Sequence, residues 1–130
     1  MKNILFCFFL LAWSFSYAED LRKVGSDPGG MSLYVDLDSI KVRGQHVYFW
    51  SLVDYSEEIG GVRSHHVAKR ANCSSRKDQG LKFVYYSGQM AKGMATLETT
   101  IQYPRWNVNP DSLTKMEIKI VCDRVRGNKD

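Results

Sequence analysis

The chain alternates short apolar segments with regularly spaced turn signals. Six candidate turns are marked by glycine, proline, aspartate or asparagine: Asp27-Pro28-Gly29-Gly30, Arg43-Gly44, Gly60-Gly61, Asp78-Gln79-Gly80, Gly88 to Gly93 and Asn107 to Asp111. The segments between them have strand length and are rich in β-branched and aromatic residues: Ser32 to Ile40, Gln45 to Tyr55, Val62 to Cys73, Leu81 to Ser87 and Ala95 to Tyr103. This pattern predicts an antiparallel meander. The alternation within the last segment predicts a peripheral strand with one wet face.

The segment Gln45 to Tyr55 is apolar on both faces. Val47, Phe49, Val53 and Tyr55 point one way, whereas Tyr48, Trp50 and Leu52 point the other. Such a strand belongs near the centre of a sheet that is covered on both sides. We expect a helix on one face. The other face is covered either by a second subunit, as a homodimer, or by the chain's own loops.

The last apolar segment, Leu113 to Cys122, fits two patterns. Met116, Ile118 and Ile120 alternate as in a strand, while Leu113, Met116, Ile120 and Val121 share one helical face. We favour the helix, with Asp111 or Ser112 after Pro110 as its N-cap. The remaining residues, 123–130, are almost all polar or charged and are expected to form a frayed C-terminal tail.

The first 18 residues have the pattern of a cleavable signal peptide. Lys2 precedes an apolar run from Ile4 to Ala12, and Ser16-Tyr17-Ala18 places small residues where signal peptidase requires them. The run is shorter than the roughly 20 residues that cross a bilayer, so no membrane span is expected. We predict cleavage after Ala18, which leaves a single domain over 19–122 followed by the polar tail.

Composition limits the partners that this domain is expected to have. Cleavage leaves 112 residues, enough for one modest core, and lowers the formal net charge from +4 to +3 because Lys2 is the only charged residue removed. Basic residues are interspersed with acids and an exported protein seldom meets DNA, so nucleic acid is not an expected partner. The charge predicts at most a weak affinity for anionic surfaces.

Two of the three cysteines remain after cleavage. Cys7 leaves with the signal peptide, so Cys73 and Cys122 form an even pair in an oxidising compartment. We predict that they form one disulfide.

No residue pattern predicts catalysis, a metal site or a cofactor. His65 and His66 are neighbours in a strand and therefore point to opposite faces, so they do not readily share a metal. Asp36 and Asp38 are expected to close a strand and turn the chain at Ser39, not to act as paired acids. The cysteines are expected to be oxidised, and Gly88 to Gly93 lacks the spacing of a phosphate loop, which favours a simple hairpin loop.

Aromatic residues are spread over every predicted strand. Most are expected in the core, but Tyr55, at a strand end, and Tyr86, which alternates with Tyr85, are candidates for exposure. Lys69 and Arg70 add charge beside the central strands. We therefore predict Tyr55, Lys69, Arg70 and Tyr86 as partner-binding residues on an aromatic and basic surface.

The order of motifs resembles the surface-adhesin protein E family of small exported bacterial proteins. The motifs that carry the resemblance are Lys23-Val24-Gly25, Tyr34 to Ile40, Val47 to Tyr55, Ser64, Cys73, Tyr85-Tyr86-Ser87-Gly88, Trp106 with Pro110, and Ile120-Val121-Cys122. The resemblance implies an α+β fold, an antiparallel sheet packed against a C-terminal helix, and binding to host surface or matrix proteins. This chain has no lipid-anchor cysteine at the predicted cleavage site, so a periplasmic or secreted form competes with display on the cell surface.

Together these features predict an exported, non-enzymatic binding module. Its partner would be a host surface protein or a bacterial envelope protein. The alternative is a periplasmic accessory or inhibitor protein, which would present a loop such as Glu57 to Arg63 or Gly88 to Gly93. A third alternative is a hydrolase without a recognisable motif.

Overall fold

The computed structural model describes residues 20–127 and shows a six-stranded antiparallel sheet with one long helix. The strands pair in chain order, each with the next, as a meander. The elements are β1 (Leu21–Ser26), β2 (Met31–Arg43), β3 (His46–Ile59), β4 (Val62–Asn72), β5 (Lys77–Tyr86), β6 (Ala95–Thr100) and α1 (Ser112–Gly127). The predicted α+β meander with a C-terminal helix is confirmed. The predicted signal peptide lies outside the described residues.

Two tight turns form where glycines were predicted to turn the chain. Gly44 joins β2 to β3 with φ at 62°, and Gly60 and Gly61 join β3 to β4 with φ at 57° and 82°. These left-handed conformations suit glycine because it carries no Cβ. Arg43 pairs with His46 and Ile59 pairs with Val62, so each hairpin is closed by a two-residue turn.

The predicted turn at Asp78 to Gly80 is wrong, because these residues lie within β5. The chain turns earlier, where the Asn72 side chain accepts hydrogen bonds from the backbone N–H groups of Ser74 and Ser75 at 3.0 and 3.2 Å. An asparagine that bonds its own following backbone in this way starts a turn without needing glycine. Gly80 instead sits at an irregularity in the β4–β5 register.

The first strand was not predicted from the sequence. Of its six residues only Val24 is buried, so β1 lacks the apolar alternation that marks the other strands. It forms because it pairs with β2, with Arg22 opposite Val35. The last strand, β6, ends at Thr100, short of the predicted Tyr103, and as predicted lies at the edge of the sheet. The prediction of one wet face is wrong, because all six residues of β6 are exposed.

The hydrophobic core lies between α1 and the first four strands. Its buried members are Val24, Leu33, Val35, Val47, Phe49 and Ala71 on the sheet and Ile118, Val121 and Cys122 on the helix. Burying each large aliphatic or aromatic side chain stabilises the fold by roughly 1.5–3 kcal/mol. One side of the sheet, called the helix face below, is thus closed by α1.

The helix begins and ends where local hydrogen bonds and charges favour it. The Asp111 side chain accepts a hydrogen bond from the Thr114 N–H at 2.8 Å, and this backbone hydrogen bond holds the pKa of Asp111 below its ordinary value. The helix continues to Gly127, so residues 123–127 belong to it and not to a frayed tail. Asp123 stabilises this last part by pairing with Lys119 and Arg126, each at 2.6 Å.

The predicted disulfide between Cys73 and Cys122 is present, with the two Cα atoms 5.8 Å apart. Cys73 follows β4 directly, and Cys122 lies on the buried side of α1. The bond therefore fastens the helix to the sheet.

Candidate protein-binding surface

The sheet has a second side that α1 does not cover. Residues on β3 that alternate with the core positions point to this side, and the register places Arg70 beside Tyr48 and His66 beside Leu52. We call this side the open face and define it by six half-buried residues: Tyr48, Trp50, His66, Arg70, Tyr86 and Trp106. It is rich in the residue types that dominate protein interfaces.

In one half of the open face, Arg70 contacts several neighbouring side chains. Its guanidinium carbon lies 5.3 Å from the centre of the Trp106 ring, and its Nη1 donates to the Tyr48 hydroxyl at 3.4 Å. The Nε–H of Arg70 donates to the Gln79 side chain. Arg43 adds a second cation, 5.7 Å from the Tyr48 ring centre. Cations stacked on aromatic rings stay charged and are held in place, which suits them for recognising an anionic or aromatic partner group.

The other half of the open face is a row of aromatic rings across β3, β4 and β5. The rings of Trp50 and His66 pack edge to face with centroids 5.8 Å apart, and His66 and Tyr86 do so at 5.4 Å. The Tyr86 hydroxyl lies 3.4 Å from Nδ1 of His66. The row has both apolar area and polar tips, which interfaces use for affinity and orientation.

The loop that follows β5 folds back over one end of this face. A 3₁₀ turn, Gln89–Ala91, contacts β3 and β4. The Met90 N–H donates to the Asp54 carboxylate at 2.7 Å, and the Ala91 N–H donates to the Ser64 hydroxyl at 2.8 Å. The predicted loop at Gly88 to Gly93 is thus fixed on the sheet, and the chain covers part of its own second face.

A groove of about 280 Å³ opens on the same face beside the irregular stretch of β2. Tyr48, Trp50 and Ala68 line it from the sheet, and Asp38, Ser39 and Lys41 line it from β2. Its size is near the lower end of the range for small-ligand sites, so it suits a single side chain of a partner.

The predicted partner-binding residues do not share one surface. Arg70 and Tyr86 lie on the open face, whereas Lys69 and Tyr55 lie on the helix face, because adjacent strand residues alternate between sides. The predicted exposure of Tyr55 is wrong, since the residue is only 9% exposed. It packs against His65, with which its hydroxyl forms a hydrogen bond.

Lys69 is occupied inside the molecule. Its ammonium group lies 2.7 Å from Glu117 on α1 and 3.6 Å from Asp78 on β5. Burial disfavours its charge, but the two carboxylates outweigh burial and hold the pKa of Lys69 above its ordinary value. Lys69 therefore stabilises the docking of α1 and is not available to a partner.

His65 belongs to an aromatic cluster on the helix face, beyond the edge of α1. Its ring lies 5.5 Å from Tyr55, 5.5 Å from Tyr85 and 6.1 Å from Phe83. Burial first, and then the positive charges of Lys69 and His66, lower the pKa of His65 to about 4. The ring is therefore neutral at neutral pH and behaves as a packing residue.

The residues considered as catalytic or metal-binding candidates have structural roles or lie too far from one another to form a site. His65 and His66 point to opposite sides of the sheet, as predicted, and residues 20–127 contain no group of three His, Cys, Asp or Glu residues that could hold a metal. The Asp36 side chain accepts a hydrogen bond from the Asp38 N–H at 3.0 Å, and its carbonyl accepts one from the Ser39 hydroxyl at 2.7 Å. The expected strand end and turn at Ser39 are wrong, because β2 continues through Ser39 to Arg43. These hydrogen bonds instead lie at an irregularity in the β2–β3 register between Asp36 and Lys41.

Four of the six residues that define the open face were not predicted as partner-binding residues: Tyr48, Trp50, His66 and Trp106. His46, whose ring is 5.3 Å from Trp106, and Arg43 flank the Gly44 turn beside this face and were not predicted either. The alternation along β3 places His46, Tyr48 and Trp50 on one side and could have found them. Trp106 lies outside regular strands, and its position depends on the bridge between Asn107 and Asp78.

Comparison with known proteins identifies the class to which this fold and surface belong. The sequence profile of the family described as surface-adhesin protein E matches residues 21–123. The chain belongs to this family. Membership supports an exported, adhesin-like protein and indicates a non-enzymatic role.

Solved structures of protein E share the fold. Protein E from non-typeable Haemophilus influenzae aligns with a TM-score of 0.60 at 19% sequence identity, over 87% of this chain and 82% of that chain. Crystal form II of Haemophilus influenzae protein E gives 0.53 at 21% identity, over 70% of this chain and 80% of that chain. Comparison with individually curated proteins finds no match.

Within the described residues, no helix has both the length and the apolar character needed to cross a membrane.

Proposed function

We propose that this protein is an exported binding module that recognises a protein partner through the open face. The observation that carries the proposal is the stacking of Arg70 on Trp106 and of Arg43 on Tyr48, with Arg70 hydrogen-bonded to the Tyr48 hydroxyl. Aromatic residues and arginine are the types most enriched at the energetic centres of interfaces. The partner would be a host surface protein or a bacterial envelope protein.

The arrangement supports binding and not chemistry. The open face offers aromatic area with two held cations, whereas its carboxylates Asp36 and Asp54 accept hydrogen bonds from the backbone N–H groups of Asp38 and Met90. The groove beside Tyr48 and Trp50 gives room for one protruding partner side chain. A partner with an aromatic or acidic side chain at its contact point would match this surface.

A second candidate, an inhibitor that presents a protruding hairpin, is favoured by the β3–β4 turn. Ile59 at this turn is 62% exposed, and Glu57 and Glu58 beside it are exposed as well. If the protein is an inhibitor, Ile59→Ser is expected to abolish partner binding. If the open face binds the partner, Ile59→Ser is expected to leave that binding unchanged.

In the test, the exported protein is the bait, and partners are captured in parallel from serum and from bacterial envelope extract. Arg43→Gln with Arg70→Gln removes two cations from the open face. Arg76→Gln with Lys115→Gln removes the same charge from exposed positions elsewhere and is the control. Open-face recognition predicts a partner that the first variant loses and the control keeps. Equal capture by both variants would contradict it.

Cell fractionation separates host adhesion from a role inside the envelope. An adhesin must be accessible to protease added to whole cells. Complete recovery by osmotic shock, with no cleavage on whole cells, would exclude host adhesion and leave the envelope partner.

A further inference from the structure

A groove of about 490 Å³ lies between the edge strand β1 and helix α1, away from the open face. Its floor is apolar and is formed by Val24, Leu37, Met116 and Ile120. Met116 is 49% exposed although it belongs to the apolar side of the helix. The volume is within the range of sites that bind small molecules.

Four cations surround this floor: Arg22, Lys23, Lys119 and Arg124. The one acid in the lining, Asp123, is occupied by Lys119 and Arg126 at 2.6 Å each. Within residues 20–127 the structure shows no carboxylate at ion-pair distance from Arg22, Lys23 or Arg124. Arg22 pairs with the core residue Val35 and lies on the helix face, whereas Lys23 pairs with Tyr34 and points to the other side of the sheet. Arg22 and Arg124 are therefore the exposed cations that lie without a compensating charge beside the apolar groove.

We propose that this groove binds an anionic phospholipid of a bilayer surface. The phosphate would be held by Arg22 and Arg124, and part of an acyl chain would lie against Leu37, Met116 and Ile120. Arginine forms paired hydrogen bonds to phosphate oxygens, and the apolar floor gains free energy when it leaves water. Charge and shape together match a ligand that is anionic at one end and apolar at the other.

The surrounding surface supports the same orientation toward a membrane. On the other flank of α1, a groove of about 400 Å³ is lined by four cations, Arg76, Lys115, Lys119 and Arg126, and by Asp123. Because Asp123 pairs with Lys119 and Arg126, the charges of Arg76 and Lys115 are the ones left for a bilayer. Basic residues near an anionic bilayer each strengthen binding by roughly 1 kcal/mol, which is about fivefold. The helix side of the molecule is therefore suited to the bilayer, and the open face lies on the opposite side of the sheet.

A soluble polyanion, such as nucleic acid or an acidic polysaccharide, would use the cations but not the floor. Its binding would be sensitive to salt and indifferent to Met116 and Ile120. The half-exposed Met116 beside the uncompensated cations favours the lipid.

The first experiment measures sedimentation of the exported protein with vesicles of equal parts phosphatidylglycerol and phosphatidylcholine. Arg22→Gln and Arg124→Gln together are expected to weaken binding about twenty-five-fold. The matched control, Lys41→Gln with Lys92→Gln, removes the same charge from exposed positions outside the groove and is expected to bind nearly as well. No binding by the unaltered protein, or equal loss in both double variants, would overturn the proposal.

The second experiment tests the floor with a soluble short-chain phosphatidylglycerol below its micelle concentration. Glycerol phosphate, which has the charge without the chains, is expected to bind at least about tenfold more weakly. Met116→Gln is expected to weaken binding of the short-chain lipid severalfold and to leave binding of glycerol phosphate unchanged. Equal binding of both ligands, or full displacement of the lipid by a single-stranded DNA oligonucleotide at equal charge, would assign the site to polyanions instead.

Discussion

The Lys69 ammonium group on β4 lies 2.7 Å from Oε1 of Glu117 on α1, and Oε2 of the same carboxylate accepts a hydrogen bond from Ser51 at 2.6 Å. Lys69 also lies 3.6 Å from Asp78, so one cation serves two carboxylates that are 0% and 5% exposed. Removing one partner of a buried pair leaves the other charge without compensation. These contacts make Lys69 the electrostatic link between the helix and the sheet.

Lys69→Met is expected to lower the free energy of unfolding by about 3–5 kcal/mol, because both carboxylates lose their cation. Glu117→Gln is expected to cost less, about 1–3 kcal/mol, because the amide still forms hydrogen bonds. Urea denaturation followed by circular dichroism measures both. Lys119→Met is the control, since it removes a lysine from the exposed pair with Asp123. An equal loss in Lys69→Met and Lys119→Met would contradict the assigned role of Lys69.

The disulfide should supply a large share of the stability. It closes a segment with a sequence separation of 49 residues, for which the chain-entropy estimate is about 4 kcal/mol. Cys73→Ser, Cys122→Ser and the double variant are therefore expected to lower the melting temperature by similar amounts. Mass spectrometry of unreduced exported protein checks the bond itself. Two alkylatable thiols in freshly exported protein would show that the bond does not form in the cell.

His65 should make stability depend on pH in the mildly acidic range. Its pKa falls from 6.5 to about 4 in the folded protein, so between these values the unfolded chain binds a proton that the folded protein does not. The free energy of unfolding therefore rises with pH through this window, and acidification from pH 6.5 to 4 destabilises the fold. Thermal melts of the unaltered protein and of His65→Gln measure the effect. The variant should show a flatter profile, and parallel profiles would rule out His65 as the cause.

A homodimer stays a prediction, based on the apolar second side of β3. Trp50 and Tyr48 on that side are half-buried, while the loop at Gln89–Ala91 already covers part of it. Light scattering on the exported protein at high concentration is expected to give a dimer mass that Trp50→Ser reduces. A monomer mass at every concentration would mean that the chain's own loops cover the face sufficiently.

Much of the fold follows from local sequence rules. The glycines at 44, 60 and 61 place two hairpins, and alternation within β3 predicts a central strand with two covered sides. The cysteine pair follows from the expected compartment. The first strand does not follow from such rules, because only Val24 of β1 is buried and the strand depends on pairing with β2.

The binding surface was harder to predict because it depends on which side α1 covers. The alternation that separates His65 from His66 also separates Lys69 from Arg70, so their placement on opposite sides was readable from the sequence. The sequence does not predict that the helix covers the side on which Lys69 lies. This placement depends on the buried contact between Lys69 and Glu117, which is 48 residues away. Trp106 reaches Arg70 from an irregular segment, for which no periodic pattern exists.

The central claim is that the open face contacts the partner. Hydroxyl-radical labelling of the exported protein, alone and with its captured partner, measures the exposure of aromatic side chains one by one. The account predicts protection of Tyr48, Trp50, Tyr86 and Trp106, with Tyr103, which is 79% exposed outside the open face, labelled equally in both states. Protection confined to Met116 on α1 or to Ile59 at the β3–β4 turn, with the four open-face rings unchanged, would contradict it.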